Sequence, residues 1–589
     1  MPEGWKETFR AERARRSYDL NTGGRIANPQ MREWFRSHGR PVSIVIPSYN
    51  DLPLLTAALE SIRTTCADVD YEVIIVDDFI DPTVGAELKK LESDRVKVIL
   101  KDTRLGFAGT VNVGMAAAQH DIVLLNSDIV AQEGWLEALQ YSAYAIDPKI
   151  GMVSPMLVYP DGRIQYGGTY YARLLAPQWW GHLHVGSPAT TAVANVAGYN
   201  RSVSGACVYI TRDAFARVGL LDDEFWLGFE DVDYGLRAWE AGVRCYYQPA
   251  ALLIHHESAS RGYSQGHREL GSMRRFWRRW GNDFLRRTVA GDPHIDFVLG
   301  PEVDPLWADY VGSVAEDLRA TGRSVDIHRL SATSRQESVV EVRSARGRVV
   351  VACDWSAAET TWLAATGGAV PVFLLPGLET LAFPHDPARQ ASIIAGYRPE
   401  FDYIAPNRET EHRLRAESPW DIRARVAPAR HPRPLPTESR AAVVVIGGSD
   451  ADHRRIEETA RAARAEVEFV PSLADSAAID RIAAGHPRVV VALTDDQNSL
   501  VPYALMSMGA VYVAPAESRH SHEVLDGYNA LLFRRDDPDG MVSSVHDALT
   551  RDEVWSEIRE NAHAWVSRAA EAAPTEIARA IDLFCDVPV

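Results

Sequence analysis

Short apolar runs closed by polar or acidic residues recur along the first third of the chain. Val42-Ser43-Ile44-Val45-Ile46-Pro47, Tyr71 to Val76, Val96 to Leu100 and Ile122 to Leu125 carry the β-branched bias of buried strands. Between them, apolar positions three and four apart predict a helix from about Leu52 to Thr64, and another starting near Gly109. Strands alternating with helices predict a parallel α/β sheet. Three of the strands end on polar clusters: Ser48-Tyr49-Asn50, Asp77-Asp78 and Asn126-Ser127-Asp128. Ligands of such sheets gather at the carboxyl ends of the strands, which makes these clusters the first candidates for a site.

The texture returns beyond residue 291. Val349 to Val351, Val372 to Leu375, Val443 to Ile446, Val489 to Val491 and Val511 to Val513 read as buried strands between Ala-rich helices. A Pro-rich joint, Pro428 to Pro436, divides this region in two. Residues 1–40 are polar and Arg-rich, helical around Trp5 to Tyr18 and Gln30 to His38. They predict a solvated arm, with contact to an anionic lipid-linked acceptor as the sharper alternative. The expected organisation is an extension over 1–40, a first α/β domain over 41–290, and two lobes over 291–436 and 437–589.

Composition narrows the class. A chain of 589 residues exceeds one ordinary core, and 46% hydrophobic with 24% charged residues describes a globular protein. A net charge of −18 argues against a nucleic-acid partner and against a broad electrostatic membrane dock. Five scattered cysteines without a C-x-x-C pair argue for a reducing compartment, and no zinc-type Cys/His spacing occurs. The first residues lack the apolar core of a secretory signal, and no apolar run is long enough to span a bilayer. The expectation is a cytoplasmic protein, with peripheral contact at the inner face of the plasma membrane.

The densest chemistry lies between Leu221 and Glu257. Glu230, Asp231 and Asp233 crowd the first turn of a predicted helix that closes at Gly242, and a strand-like run then ends on His255-His256. The positive end of a helix dipole favours ionised carboxylates, and a fixed ionised carboxylate is what a general base needs. An isolated E-D-x-D would read as helix capping, but its neighbours add to it. Gly205-Ala206, Asp223-Glu224-Phe225, Phe229 to Asp233 and His255 follow in order, His255 lying 24 positions after Asp231 (255 − 231).

This succession resembles the "ED" segment of family 2 inverting glycosyltransferases, in the branch with bacterial rhamnosyl- and galactofuranosyltransferases. Arg104 to Asn112 is similar to that family's N-x-G-F-A-G-x-x-N. The resemblance implies a GT-A fold over 41–290 and an in-line displacement with inversion. Asp231 would be the base, with Glu230 or Asp233 as alternatives. Pro47, Tyr49, Asn50, Asp77, Gly106, Gly109, Asn112, Asn126 and Ser127 would meet the nucleotide-sugar donor, Asp77 accepting from a pyrimidine N3–H. Asp128 and His255, with His256 as fallback, would hold Mg²⁺ or Mn²⁺. Trp179, Trp180, Gly205 and Ala206 would face the acceptor, a glycan or lipid-linked glycan, and Arg274 to Trp280 would be a basic helix closing the domain. Two departures stand out: Asp77-Asp78-Phe79-Ile80-Asp81-Pro82 replaces D-N-x-S-x-D-G-S, and Asn126 replaces the first acid of D-x-D.

From Asn498 to Pro515, and over His522 to Phe533, the chain resembles the donor-binding half of family 4 glycosyltransferases. That implies a GT-B-like pair of Rossmann-like lobes. Ala504 stands where the family's second donor-binding Glu belongs, and Asp450 and Asp452 follow the Gly447-Gly448 turn where basic residues are expected. The function expected is a sugar transferase for bacterial cell-surface polysaccharide, acting from a UDP- or dTDP-sugar, with a non-catalytic C-terminal region. The alternatives are a bifunctional enzyme and a non-catalytic glycan-binding protein.

Overall fold

The computed structural model describes residues 29–172, 179–256, 267–281, 294–331, 335–344, 349–417, 422–473, 476–493, 499–517 and 523–585. The predicted helix around Trp5 to Tyr18 lies outside them. Two compact units emerge, residues 1–288 with 366–368 and residues 289–365 with 369–589.

The first unit opens with helix α1 (Pro29–His38). The alternating segment then forms β1 (Val42–Ser48), α2 (Leu52–Thr65), β2 (Tyr71–Asp77), α3 (Pro82–Lys89), β3 (Val96–Ile99), α4 (Gly106–Ala117) and β4 (Asp121–Leu125). These strands pair in parallel in the order β3-β2-β1-β4. Side chains alternate between two cores, as the period of a strand requires. Ile44, Val73, Ile75 and Val123 pack on one face, and Val45, Ile74, Val76 and Leu124 on the other. Burying each such side chain contributes roughly 1.5–3 kcal/mol, enough to fix the register at which the strand ends align.

The chain continues through segments with weaker patterns: β5 (Ile129–Ala131), α5 (Trp135–Tyr141), β6 (Ile150–Val158), β7 (Ile164–Tyr166), β8 (Thr169–Ala172) and β9 (Trp179–His182), which pair with each other as a separate antiparallel ribbon, β10 (Gly198–Asn200) and β11 (Cys207–Ile210). Then come α6 (Arg212–Val218), α7 (Glu230–Glu240), β12 (Arg244–His255) and α8 (His267–Trp280). Among the described residues the main path runs β10-β12-β6-β11-β4-β1-β2-β3, with β5 on β12 and β7 on β6. β12 runs parallel to β6 but skips between Gln248 and Leu252, and its last three residues pair antiparallel with β5, His255 opposite Ile129. That pairing carries His255 to the residue following Asp128.

The second unit has two parallel sheets. The first is β14-β13-β15-β16-β17-β18, from β13 (Ile295–Leu299), β14 (Val325–Arg329), β15 (Val349–Ala352), β16 (Val370–Leu374), β17 (Asp402–Ala405) and β18 (Ile422–Arg425). The second is β20-β19-β21-β22-β23, from β19 (Arg440–Ile446), β20 (Glu466–Val470), β21 (Pro487–Ala492), β22 (Val511–Pro515) and β23 (Leu531–Phe533). Helix α9 (Pro305–Ala320) covers one face of the first sheet through Leu306, Val311 and Leu318. Helix α10 (Asp552–Cys585) packs Ala562, Val566 and Ile577 into a cluster that includes strands of both sheets.

Candidate functional site

The carboxyl ends of β1, β2 and β4 bring the predicted polar clusters together. Asp51, which no motif singled out, is the hub: its Oδ1 accepts from Ser48 Oγ at 2.8 Å and Tyr49 N at 3.2 Å, and its Oδ2 accepts from Ser127 Oγ. Pro47 lies opposite Val76 and Ser48 opposite Asp77 in the β1–β2 register. Asn50 takes the left-handed conformation, φ 50°, where the chain turns off the strand. Asp77 is buried and accepts from the Phe79 and Ile80 amides at 3.0 and 3.1 Å, so its carboxylate caps a turn. Tyr49 packs edge-on to Phe79 at 5.1 Å, and Arg104 sits 4.6 Å over the Tyr49 ring. Beside them a buried ion pair joins Lys101 Nζ to Asp78 Oδ1 at 2.6 Å, a pairing invisible in the motif.

The glycine-rich stretch, expected to meet the donor, makes the following contacts within the protein. Gly106, at φ 71°, starts α4 with a Cβ position 2.7 Å from the Trp226 carbonyl, and the Phe107 amide donates to that carbonyl at 3.0 Å. Gly109 lies inside the helix against Leu105. The Asn112 amide accepts from Leu221 N at 2.9 Å and donates to Leu221 O at 2.8 Å. Gly106 and Asn112 fasten α4 to the segment leading into the acidic motif.

That motif begins on a strained turn. Gly228 and Phe229 are both left-handed, at φ 83° and 68°, and a left-handed non-glycine residue next to acidic groups is a common mark of a working site. Glu230 is buried at the start of α7. Asp231 follows: its Oδ2 accepts from Gly205 N at 2.7 Å and its Oδ1 from Val232 N at 2.8 Å. Burial pushes its carboxyl above the ordinary aspartate range, while the Gly205 amide and the His182 imidazole pull the other way. Asp233 is fully buried and accepts from Arg237 Nε at 2.9 Å and Trp280 Nε1 at 2.9 Å, with Arg279 at 3.2 Å. Its carboxylate is engaged by these three groups.

Gly205 and Ala206, expected to face an acceptor, tie two motifs together. Gly205 holds Asp231, and the Ala206 carbonyl accepts from Asn126 N at 2.9 Å. A Cβ on Gly205 would press on Asp231 at 3.3 Å, so the small residue permits this approach. Asn126 Oδ1 is buried with no hydrogen-bond partner among the described residues, an unmet acceptor beside Ser127 and Asp128.

Asp128 Oδ1 lies 3.1 Å from His255 Nε2. His255 Nδ1 is 2.7 Å from Gln165 Oε1, and its Nε2 faces Asp128. One imidazole and one carboxylate converging here are donor types that Mg²⁺ or Mn²⁺ accepts. Gln165 also reaches the other side of the site: its carbonyl meets His182 Nδ1 at 3.2 Å, and His182 is the imidazole felt by Asp231. Sequence reasoning missed Gln165 because it sits on the three-residue strand β7.

Trp180 is 6% exposed and packs with Tyr171, Phe276 and Trp280, so its ring fills a core instead of offering a face to a sugar. The side chain of Trp179 lies outside the described residues. The basic helix α8 forms as expected, but Arg275 and Arg279 bind Asp222 at 2.9 and 3.1 Å, leaving Arg274 and Arg278 exposed.

In the second unit, Ala504 lies on helix α11 (Leu500–Met506), next to Tyr503. Tyr503 lines a cleft of about 480 Å³ with Arg408, Arg425, Glu523, Trp565 and Arg568. Asp452 closes a capping box with Ser449 at the start of helix α12 (Asp450–Ala462), a local explanation for an acid at that turn. Asn498 and His522, which open the two resembling segments, lie outside the described residues.

Comparison with known proteins bears on the first unit. The family model described as "Glycosyl transferase family 2" matches residues 43–190. The uncharacterized protein y4gI of Sinorhizobium fredii is 34% identical over 45% of this chain and 30% of its own length. The O-antigen biosynthesis protein RfbC of Myxococcus xanthus is 26% identical over 54% of this chain and 24% of its own. The N-acetylglucosaminyl-diphospho-decaprenol L-rhamnosyltransferase of Mycobacterium tuberculosis is 30% identical over 24% of this chain and 48% of its own. The chain thus spans less than half the length of these relatives. Among the described residues no helix is long and apolar enough to cross a membrane. Residues 43–190, which match the glycosyl transferase family 2 model, lie within the α/β fold of the first unit.

Proposed function

We propose that the first unit is a metal-dependent, inverting glycosyltransferase. It moves a sugar from a UDP- or dTDP-sugar to a hydroxyl of a glycan or lipid-linked glycan, in the synthesis of bacterial cell-surface polysaccharide. One observation carries the reading. Gln165 meets His255, the partner of Asp128, through its side chain and His182, the neighbour of Asp231, through its carbonyl. A leaving-group side and a base side are therefore joined by one buried residue.

In this reading the acceptor oxygen bonds to the anomeric carbon while that carbon's bond to the diphosphate oxygen breaks, and the nucleoside diphosphate leaves with the electron pair. Asp231 takes the hydroxyl proton, its orientation fixed by the Gly205 and Val232 amides. Asp128 and His255 would hold the divalent ion, which when bound supplies positive charge for the leaving diphosphate. Tyr49, Arg104 and the turn capped by Asp77 would wall the nucleotide. The exposed Arg274 and Arg278 support peripheral contact with an anionic membrane face. The second unit is a GT-B-like pair of lobes without catalysis of its own, supported by Ala504 and by the capping role of Asp452.

The test is nucleotide release by the full chain across UDP- and dTDP-sugars, with Mg²⁺ or Mn²⁺ and lipid-linked acceptors. Asp231→Asn should lower transfer by roughly two to four orders of magnitude. Turnover unchanged in that variant removes the mechanism, and a variant that still adds one sugar reveals activity in the second unit.

A further inference from the structure

A cluster unrelated to the acidic motif lies at the amino ends of β13 and β14 in the second unit. His294 precedes β13 and Asp296 is its second residue; Asp326 and His328 lie on β14. Asp296 pairs with Asp326 in the parallel register, and Val298 with His328. Residues two apart share a face of a strand, so H-x-D on one strand and D-x-H on its neighbour converge. Ile295, Phe297 and Leu299 point to the opposite face, into the core under α9.

We infer that His294, Asp296 and Asp326 form a binding site for a divalent transition-metal ion of the zinc class, with His328 positioning Asp296. His294 Nε2 lies 3.1 Å from Asp326 Oδ2 and 3.4 Å from Asp296 Oδ1, and one ligand atom from each of the three lies within 4.8 Å of the others. Tetrahedral zinc with bonds of about 2.0–2.2 Å has ligand-to-ligand edges of roughly 3.3–3.6 Å, so two edges are nearly in place. His294 Nδ1 meets Ser324 Oγ at 2.6 Å, which turns Nε2 toward the carboxylates.

The second observation is Asp296 itself. It is 0% exposed, its Oδ1 meets His328 Nε2 at 2.9 Å, and its Oδ2 is buried with no hydrogen-bond partner among the described residues. A buried carboxylate oxygen without a partner, beside a second carboxylate in register, is costly unless a cation meets it. Glu341, 3.4 Å from His328 Nδ1, holds that ring from behind. Asp326 is exposed and leaves the site open to solvent. Imidazole with carboxylates suits Zn²⁺ and its neighbours better than Ca²⁺. The location is the opposite end from the one parallel sheets use for substrates, so the ion pins the edge strand β14 to β13.

The test uses the full-length chain stripped with a chelator and titrated with Zn²⁺, and separately with Co²⁺ followed by its visible absorption. In a chain carrying Asp128→Ala and His255→Ala, which removes the other proposed ion site, one equivalent should bind with tetrahedral-type cobalt absorption. His294→Ala and Asp326→Asn should each weaken binding by at least about 100-fold, and Asp326→Asn, at an exposed position, should keep the native circular dichroism. His328→Ala should keep the stoichiometry, weaken binding about 10–100-fold and shift the cobalt spectrum. Absence of bound Zn²⁺ in the natural chain, or equal binding in His294→Ala and Asp326→Asn, leaves only a hydrogen-bonded His–Asp network and overturns the inference.

Discussion

Asp231→Asn and Asp233→Asn make the same chemical change two positions apart and should fail in opposite ways. At Asp233 the carboxylate is fully buried and accepts from Arg237, Arg279 and Trp280. Asparagine keeps one oxygen for Trp280 but loses the charge. The Arg237 bond, with that arginine 17% exposed, is worth about 1.5–3 kcal/mol as a charged hydrogen bond. Arg279, 41% exposed, adds at most about 1 kcal/mol after solvent screening. The expected loss is about 2–4 kcal/mol, a fall in melting temperature of roughly 5–10 °C. At Asp231 burial already disfavours the charge, and asparagine gives up one of the two amide bonds, from Gly205 or Val232, so the loss of stability should be about 0.5–1.5 kcal/mol. Activity should nevertheless fall by two to four orders, about 3–5 kcal/mol of barrier. Thermal melts and nucleotide release on both variants read the contrast directly. If Asp231→Asn melts as low as Asp233→Asn, Asp231 is a structural cap and the mechanism loses its base.

The raised pKa of Asp231 sets a pH dependence. Because the ionised form is the base, kcat/KM should rise with pH through an apparent pKa above the ordinary aspartate value of about 3.9, and a limb at or below that value would contradict the burial argument. Asp128→Ala and His255→Ala should each weaken Mn²⁺-dependent nucleotide binding while His256→Ala does much less; equal effects from the two histidines, measured by calorimetry, would move the ligand assignment. Asn112→Ala removes both bonds to Leu221 and should destabilise the chain by about 1–3 kcal/mol in denaturant titrations, whereas a donor-binding role would raise KM at unchanged stability.

Local pattern carried the first sheet far and the site only part of the way. β1, β2 and β4 could be read because their apolar runs serve two cores, and their polar ends marked Ser48, Asp77 and Asp128. The acidic first turn of α7 was legible because three acids there exceed what capping needs. Asp51, Gln165 and the Lys101–Asp78 pair were not, since each acts on a partner fixed only by tertiary packing. Trp180 shows the converse: an aromatic before a glycine-rich turn looks the same in sequence whether it stacks on a sugar or fills a core. The His294 cluster escaped because zinc spacing is read along one chain segment, while this one is assembled across two strands.

The skip in β12 between Gln248 and Leu252 makes the far end of that strand intolerant of length changes. Residues beyond it alternate faces with each step, and His255 reaches Asp128 only because Leu253, Ile254 and His255 lock against Ala131, Val130 and Ile129. A one-residue deletion after Leu252 would rotate the imidazole to the opposite face, whatever residue types remained. An insertion in the turn from His184 to Pro188 would instead lengthen a connection outside the named strands. Gapless spacing from Leu252 to His255 is therefore a sharper criterion for a working homologue than the identity of any single neighbour.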